Sequence, residues 1–558
     1  MVQETKKRKL SVCAKYKLFD CNFYDYVPNK DGSDEEQADK EIPKFMIELY
    51  GIDETGKTCC IKVNNYKPFF YVKVGDDWDS SHVGGLKAHL MRKMGYASKY
   101  MLSAELVSKK KLYGFAHGKE YKFVKFKFAN NAGMTKAKGL WNSYDEDGER
   151  RRINLTYMAN NKKCELELYE SNIPPLLRYY HINEISPSGW VKIKHSKRSE
   201  VFAKTTTCDA EYECSENQVI SMPDCEKPVP YKICSFDIEA SSSHGDFPLP
   251  IKTYKRLASN IMDLFDKHKP NETMSKTLIK NSILTAFGHQ KFDGVDLVYP
   301  KIQDTNETSK AVIENQVTRI LGKKLKDVIL EAQNGKDVQT IDYMFSKLND
   351  MSSGYNSDDD NPYYTKKNKK IDTRVTVVDM LLNDDYARED KINELDKVLC
   401  AVLPDLEGDK VTFIGSTFMN YGEKKPHLNH CLVLGTCDDV VDATIESVDT
   451  ETKLLVAWSK LIQKENPDII IGYNIFGFDY QFMFNRAQEN RCADEFLKLS
   501  RKKDEVCGKR NRDTGRLEGI EHSKVVLASG EYDLNYTKTT GRLQIDMYTY
   551  FRRDFNLS

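Results

Sequence analysis

The chain has 558 residues, 30% of them charged, with 84 lysines and arginines against 84 aspartates and glutamates. That length exceeds what one hydrophobic core organises, so several domains are expected. The charge balance provides no global basic field; it weighs against a coat protein for nucleic acid but not against an enzyme, and any nucleic-acid contact must come from local patches. Fourteen cysteines are scattered without a Cys-x-x-Cys pair, which suits reduced thiols better than a disulfide framework. Cys208, Cys214, Cys225 and Cys234 come nearest to a cluster, match no common zinc spacing, and read as buried or incidental thiols.

The opening MVQETKKRKL is charged and has no apolar h-region, and no run of 18 apolar residues occurs, so secretion and membrane spanning are disfavoured. Lys6, Lys7, Arg8 and Lys9 fit a nuclear address, although a solvated basic end explains them more simply. Residues 1–230 alternate aromatic and β-branched runs such as FMIELYGI, FFYVKV and YKFVKFKF with polar turns, which predicts a β-rich N-terminal domain. Within it Lys122, Lys125 and Lys127 interleave with Tyr121, Phe123, Phe126 and Phe128, just after Lys109, Lys110 and Lys111. Basic groups among aromatics can grip a single strand of nucleic acid, but a strand with one wet face accounts for the pattern more simply.

From residue 231 the order changes. The pattern predicts strands at 231–237, near 410–419 and near 428–435, a helix near 451–465, a strand at 469–473 and a helix from about 478. Leu454, Leu455, Trp458, Leu461 and Ile462 recur at helical spacing and support the first helix. Three strands followed by alternating helix and strand fit an α/β (α+β) layer of the ribonuclease-H-like kind, placed at 231–558. Between its first and second strands lies a long intrusion, 251–405, with helical patterns such as KRLASNIMDLF and the low-complexity piece MSSGYNSDDDNPYYTKKNKK, whose charge blocks resist burial. It reads as a partly disordered insertion, or else as a small separate domain.

The chemistry concentrates in two segments. In YKICSFDIEA, residues 231–240, Asp237 and Glu239 close an apolar strand run; side chains two apart share a strand face, a spacing suited to one hard divalent cation. Taken alone, such a pair is more often an acidic strand end than a metal site. In PDIIIGYNIFGFDYQFMFNRA, residues 467–487, a strand feeds a loop at Asn474–Gly477 and then a helix opened by Phe478 and Asp479. The helix dipole favours a carboxylate in the first turn, so Asp479 is expected to stay ionised and ready for a cation. Asn474 can cap or orient; Phe482 suits the core, and Phe478, beside the acid, is placed to contact a base.

FDIEASSS together with GYNIFGFDYQFMFNRA resembles the first and second exonuclease motifs of the family B DNA polymerases, in particular the delta-like branch. ELVSKKKLYGF, LYESNIPPLLRYYHINEISPSGWVKI, DKVTFIGSTF and GRLQIDMYTYFRRDF resemble delta-type segments in the same order, and FDIEASSSHGDFPLP followed by a long insertion is similar to polymerases of large DNA viruses of the mimivirus kind. The resemblance covers nearly everything except 251–405. It implies a magnesium-dependent 3′→5′ proofreading exonuclease in which Asp237, Glu239 and Asp479 are three of four acidic ligands for two magnesium ions, with Asn474 and Phe478 positioning a frayed single-stranded 3′ end. It implies DNA as partner, as primer 3′ end and single-stranded template, with a sliding clamp and the remaining polymerase portion as further partners and no membrane. Replication in a host nucleus or a cytoplasmic viral compartment follows from the same likeness.

The chain departs from that pattern in one respect. The family's third exonuclease motif, Tyr-x-x-x-Asp, and its palm motifs have no match here, so the 558 residues read as the N-terminal portion of a DNA-directed DNA polymerase, unable to polymerise alone and weak or inactive as a nuclease. Asp546, in GRLQIDMY, tempts as a fourth ligand and reads better as a structural acid. Two other readings stay open: a non-catalytic nucleic-acid or replication-partner binding module with vestigial acids, and a stand-alone exonuclease, against which the delta-like N-terminal segments argue.

Overall fold

A computed structural model describes residues 13–27, 42–111, 117–144, 150–159, 162–194, 200–242, 245–301, 308–335, 371–511, 514–527 and 530–555. Lys6 to Lys9 and the whole of the low-complexity piece lie outside them. The chain forms two compact units, one of Met1–Ile238, Phe413–Phe484 and Arg491–Ser558, the other of Glu239–Thr412 and Asn485–Asn490.

The first unit opens with the β-rich region that the sequence predicts. Six strands order as Ala210–Cys214, Thr58–Val63, Lys44–Ile52, Cys13–Tyr26, Trp190–Lys194 and Val219–Ser221. Both faces are covered: Leu18, Phe45, Ile47, Leu49, Ile61 and Val191 pack on one side, and Phe19, Tyr50, Ile52 and Trp190 on the other. The near-continuous apolar run at 45–52 records that double burial. A second, five-stranded sheet carries Met101–Lys110, Glu120–Phe128 and Phe69–Lys73 side by side. There Val124, Phe126 and Phe128 enter a core with Phe70, Leu86, Leu90 and Trp141. Lys125 and Lys127 fall on the opposite face, where Lys125 Nζ lies 3.8 Å above the Phe69 ring and Lys127 pairs with Glu105 at 2.9 Å, whereas Lys122, on the face of Val124 and Phe126, donates to the Trp78 carbonyl at 2.6 Å.

The third sheet carries the candidate chemistry. Its strands are β1 (Lys232–Ser241), β2 (Lys410–Asn420), β3 (Leu428–Leu434), β4 (Thr444–Val448), β5 (Ile469–Gly472) and β6 (Leu543–Asp546), in the order β4-β3-β2-β1-β5-β6. β5 runs parallel to both β1 and β6, while β2 and β3 are antiparallel. A central first strand flanked by a hairpin on one side and parallel returns on the other is the ribonuclease-H-like arrangement that the element order predicts. β4 is an addition that the sequence pattern did not signal. Helix α1 (Glu451–Glu465) starts at Thr450, whose hydroxyl accepts the Lys453 amide, and buries Leu454, Leu455, Trp458, Leu461 and Ile462. The Trp458 ring lies 4.9 Å from Phe236 of β1 and 5.9 Å from Phe496, which fastens helix to sheet.

Polar contacts tie the first sheet to the segments around β5 and β6. Asp20 accepts the Gly541 amide at 2.7 Å, and Arg501, fully buried, pairs with Asp468 at 2.7 Å while its guanidinium lies 5.6 Å from the Phe19 ring. In the four-cysteine group burial pushes Cys214 up to about 11 and Cys234 up to about 12, and Cys208 upward too. Protonated thiols in apolar packing are poor metal ligands.

The second unit takes in most of the intrusion and has a core of its own. Helices Lys255–His268, Glu272–Ala286, Lys310–Gly322 and Arg388–Val402 surround Ile261, Ile279, Ile283, Ile313, Ile320, Leu395 and Leu399. The described parts of the insertion are therefore a folded helical body. Residues 336–370, where the low-complexity text falls, lie outside the described residues.

Candidate active site

Along β1 burial alternates: Cys234, Phe236 and Ile238 point into the core, whereas Ser235, Asp237 and Glu239 are exposed on the other face. The two acids thus share a face for the reason read from the sequence. β5 pairs with β1 as far as Ser235 opposite Ile471 and ends at Gly472. A Cβ at Gly472 would lie 2.8 Å from the Phe236 carbonyl oxygen, so only glycine lets the loop leave the sheet beside Asp237.

The loop then turns sharply. Asn474 takes a left-handed conformation, φ 62°, and its carbonyl accepts the amides of Gly477 at 3.0 Å and Phe478 at 2.9 Å. Asparagine tolerates that region better than a branched residue does. Helix α2 (Asp479–Glu489) begins one residue after Phe478. Phe482 is 1% exposed and its ring stands 5.2 Å from that of the half-buried Phe478. The core role of Phe482 and the accessible position of Phe478 agree with the division the sequence suggests.

Asp479 is 2% exposed, lies against Asp237, and its Oδ1 has no hydrogen-bond partner. Burial, and then the charge of Asp237, push its carboxyl up to about 7. This differs from the sequence reading, in which the helix dipole keeps Asp479 ionised. The dipole contributes about 2 kcal/mol at the most, and desolvation outweighs it.

Two carboxylates in contact share a proton or a cation; both cannot stand ionised and alone. The hard oxygen donors, the like-charge contact and the orphaned buried Oδ1 fit a divalent ion of the magnesium class, which would take the place of the shared proton. Glu239 follows two residues along β1, exposed, at the point where the chain passes into the second unit. Among the described residues no group of three His, Cys, Asp or Glu side chains is gathered closely enough to hold a metal. The structure therefore brings Asp237 and Asp479 together, with Glu239 beside Asp237 in sequence and on its face.

Asp546 was legible only as a strand-end acid. It sits at the end of β6, opposite Gly472 of β5, and is 3% exposed. Its Oδ1 accepts the amides of Asn474 and Tyr548, and its Oδ2 that of Phe476, each at 2.9 Å. On the other side of the loop the Phe476 carbonyl accepts the Asn535 amide at 2.8 Å, from the hairpin Glu521–Leu527 and Gly530–Tyr536. No residue pattern announces which way a buried carboxylate faces, and this one faces amides.

A ribonuclease-H-like sheet with an acid on its central strand against a helix-start acid defines the class, a mixed α/β nuclease-type domain that follows a β-rich N-terminal region. The family model described as DNA polymerase family B, exonuclease domain, matches residues 166–292 and 393–558, more than half of the chain. The chain belongs to the family B DNA polymerases, through their exonuclease domain. It is 38% identical to a DNA polymerase of Phaeocystis pouchetii virus over 97% of this chain and 53% of that one. It is 29% identical to a DNA polymerase of Pyramimonas orientalis virus over 97% of this chain and 40% of that one. A DNA polymerase delta catalytic subunit of Schizosaccharomyces pombe is 30% identical over 28% of this chain and 13% of the subunit, which supports the delta-like branch. The chain spans about half the length, or less, of these relatives. Among the described residues no helix is long and apolar enough to cross a membrane.

Proposed function

We propose that the chain is the N-terminal portion of a DNA-directed DNA polymerase in viral DNA replication, carrying most of a 3′→5′ proofreading exonuclease whose metal-holding acids are Asp237, Glu239 and Asp479. The observation that carries this reading is the contact of Asp237 with Asp479, whose buried oxygen has no partner inside the protein. Two magnesium ions, when bound, would supply an activated water and charge stabilisation at the leaving 3′-oxygen.

The chain's own residues have separate tasks. Asp237 and Asp479 supply hard oxygen donors from the central strand β1 and a helix start, and Glu239 supplies a third from the face of Asp237. Burial of Asp479 keeps water from one side of the pair. Asn474 and Phe478, at the turn and its exit, position the frayed 3′-terminal nucleotide, Phe478 by stacking on a base. Under this reading 1–230 is the N-terminal domain and 231–558 the exonuclease domain, with 251–405 inserted. DNA is the partner, as primer 3′ end and single-stranded template, with the remaining polymerase portion and a sliding clamp as further partners. The place of action is a host nucleus or a cytoplasmic viral replication compartment.

The test is trimming of a 3′-mismatched primer with magnesium, by this chain alone and with the remaining polymerase portion added. Trimming that vanishes in Asp237→Ala supports the reading. DNA binding without trimming in either mixture would instead make the acids vestigial.

A further inference from the structure

We propose that Asp546 is a positioning residue of this site: its buried carboxylate gathers the loop Asn474–Phe478 and so sets where α2 begins and where Asp479 stands. The proposal rests on the proofreading reading for its consequence, but not for its geometry.

The argument starts from the loop. It leaves β5 at Gly472, reverses through a left-handed Asn474, and enters α2 at Asp479 within seven residues. The turn itself satisfies the Gly477 and Phe478 amides through the Asn474 carbonyl and leaves those of Asn474 and Phe476 to find partners elsewhere. The Asn474 and Phe476 amides find theirs on opposite oxygens of one carboxylate, while the Tyr548 amide, at the start of helix α3 (Met547–Phe555), shares Oδ1. Charge-assisted bonds to a carboxylate are about twice as strong as neutral ones. Two of them hold the loop and the third holds the start of α3, so one carboxylate ties both to the end of β6.

The same geometry argues against Asp546 as a metal ligand. Both of its oxygens face backbone amides, whereas a ligand would turn one toward Asp237. The acid acts through the loop. It holds Asn474 and Phe478 at the mouth of the site and Asp479 at its floor.

Three variants of the full chain separate positioning from stability. Asp546→Asn keeps one acceptor oxygen, Asp546→Ala keeps none, and Leu432→Ala opens the core of β3, two strands from β1 on the side away from β5. Each is read by amide exchange of residues 473–480, by binding of a 5′-labelled single-stranded oligothymidylate in calcium, and by trimming of that strand in magnesium with the remaining polymerase portion added. The expected result is graded. Exchange in 473–480 quickens and oligonucleotide affinity falls in the order wild type, Asn, Ala, and trimming by the Ala variant drops by about 10- to 100-fold, while Leu432→Ala lowers the melting temperature without quickening that segment or weakening binding.

Unchanged exchange in Asp546→Ala overturns the proposal, and so does a Leu432→Ala variant that reproduces every effect. Faster exchange with unaltered binding and trimming also overturns it, because the loop is then anchored to no purpose. If Asp237→Ala trims as well as the unsubstituted chain, it is the proofreading reading that fails, and loop exchange still decides the role of Asp546.

Discussion

Replacing Asp479 with asparagine should make the metal-free protein more stable and the site inert. In the folded chain the Asp479 carboxyl titrates at about 7 against an ordinary value of 3.8, chiefly through burial. A rise of about three units at about 1.4 kcal/mol per unit means that holding this group ionised costs up to about 4 kcal/mol of folding stability. The sign follows from linkage. Because the folded value is raised, the cost is present in full above pH 7, shrinks as the pH falls through the window between 7 and 3.8, and is gone below it. Asparagine keeps the volume and one acceptor oxygen and carries no charge at any pH. In EDTA at pH 8, urea unfolding of the full chain should therefore find Asp479→Asn more stable by up to about 4 kcal/mol, with the gap closing toward pH 4. Magnesium should reverse the order, since an ion that binds only the folded wild type stabilises it in proportion to the logarithm of its concentration. An asparagine variant no more stable than wild type in EDTA at pH 8, or equal magnesium stabilisation of both, would refute the reasoning.

Two further outcomes test the frame around the site. Asp396, 2% exposed in the helical unit and taking hydrogen bonds from Thr253, Tyr254 and Cys400, is pushed up to about 6 by burial. As the pH falls from 7 to 4, wild type should gain up to about 3 kcal/mol on Asp396→Asn in urea unfolding, and a gap that does not move with pH would contradict the assignment. Trp458→Ala removes the ring packed between Phe236 and Phe496 at a fully buried position, and should cost about 3–5 kcal/mol in the same measurement.

Much of this protein is written in local pattern. Alternation along β1 puts Asp237 and Glu239 on one face, helical spacing in α1 buries Leu454, Leu455, Trp458, Leu461 and Ile462, and the Gly472–Asp479 turn is visible in GYNIFGFD. These features depend on residues a few positions apart, and periods of two and 3.6 are properties of the backbone itself. The short strand β4 and the hairpin at 521–536 escaped notice because exposed, polar strands carry a weak pattern.

Tertiary structure alone decided three things. It placed Asp237 against Asp479 across 242 positions of chain, as those two numbers require. It made burial rather than the helix dipole control the Asp479 proton, and it turned Asp546 toward the loop amides instead of the acids. Each depends on what surrounds a carboxylate in three dimensions. Desolvation and hydrogen-bond direction belong to that enclosure, and the order of residues along a strand holds no record of it.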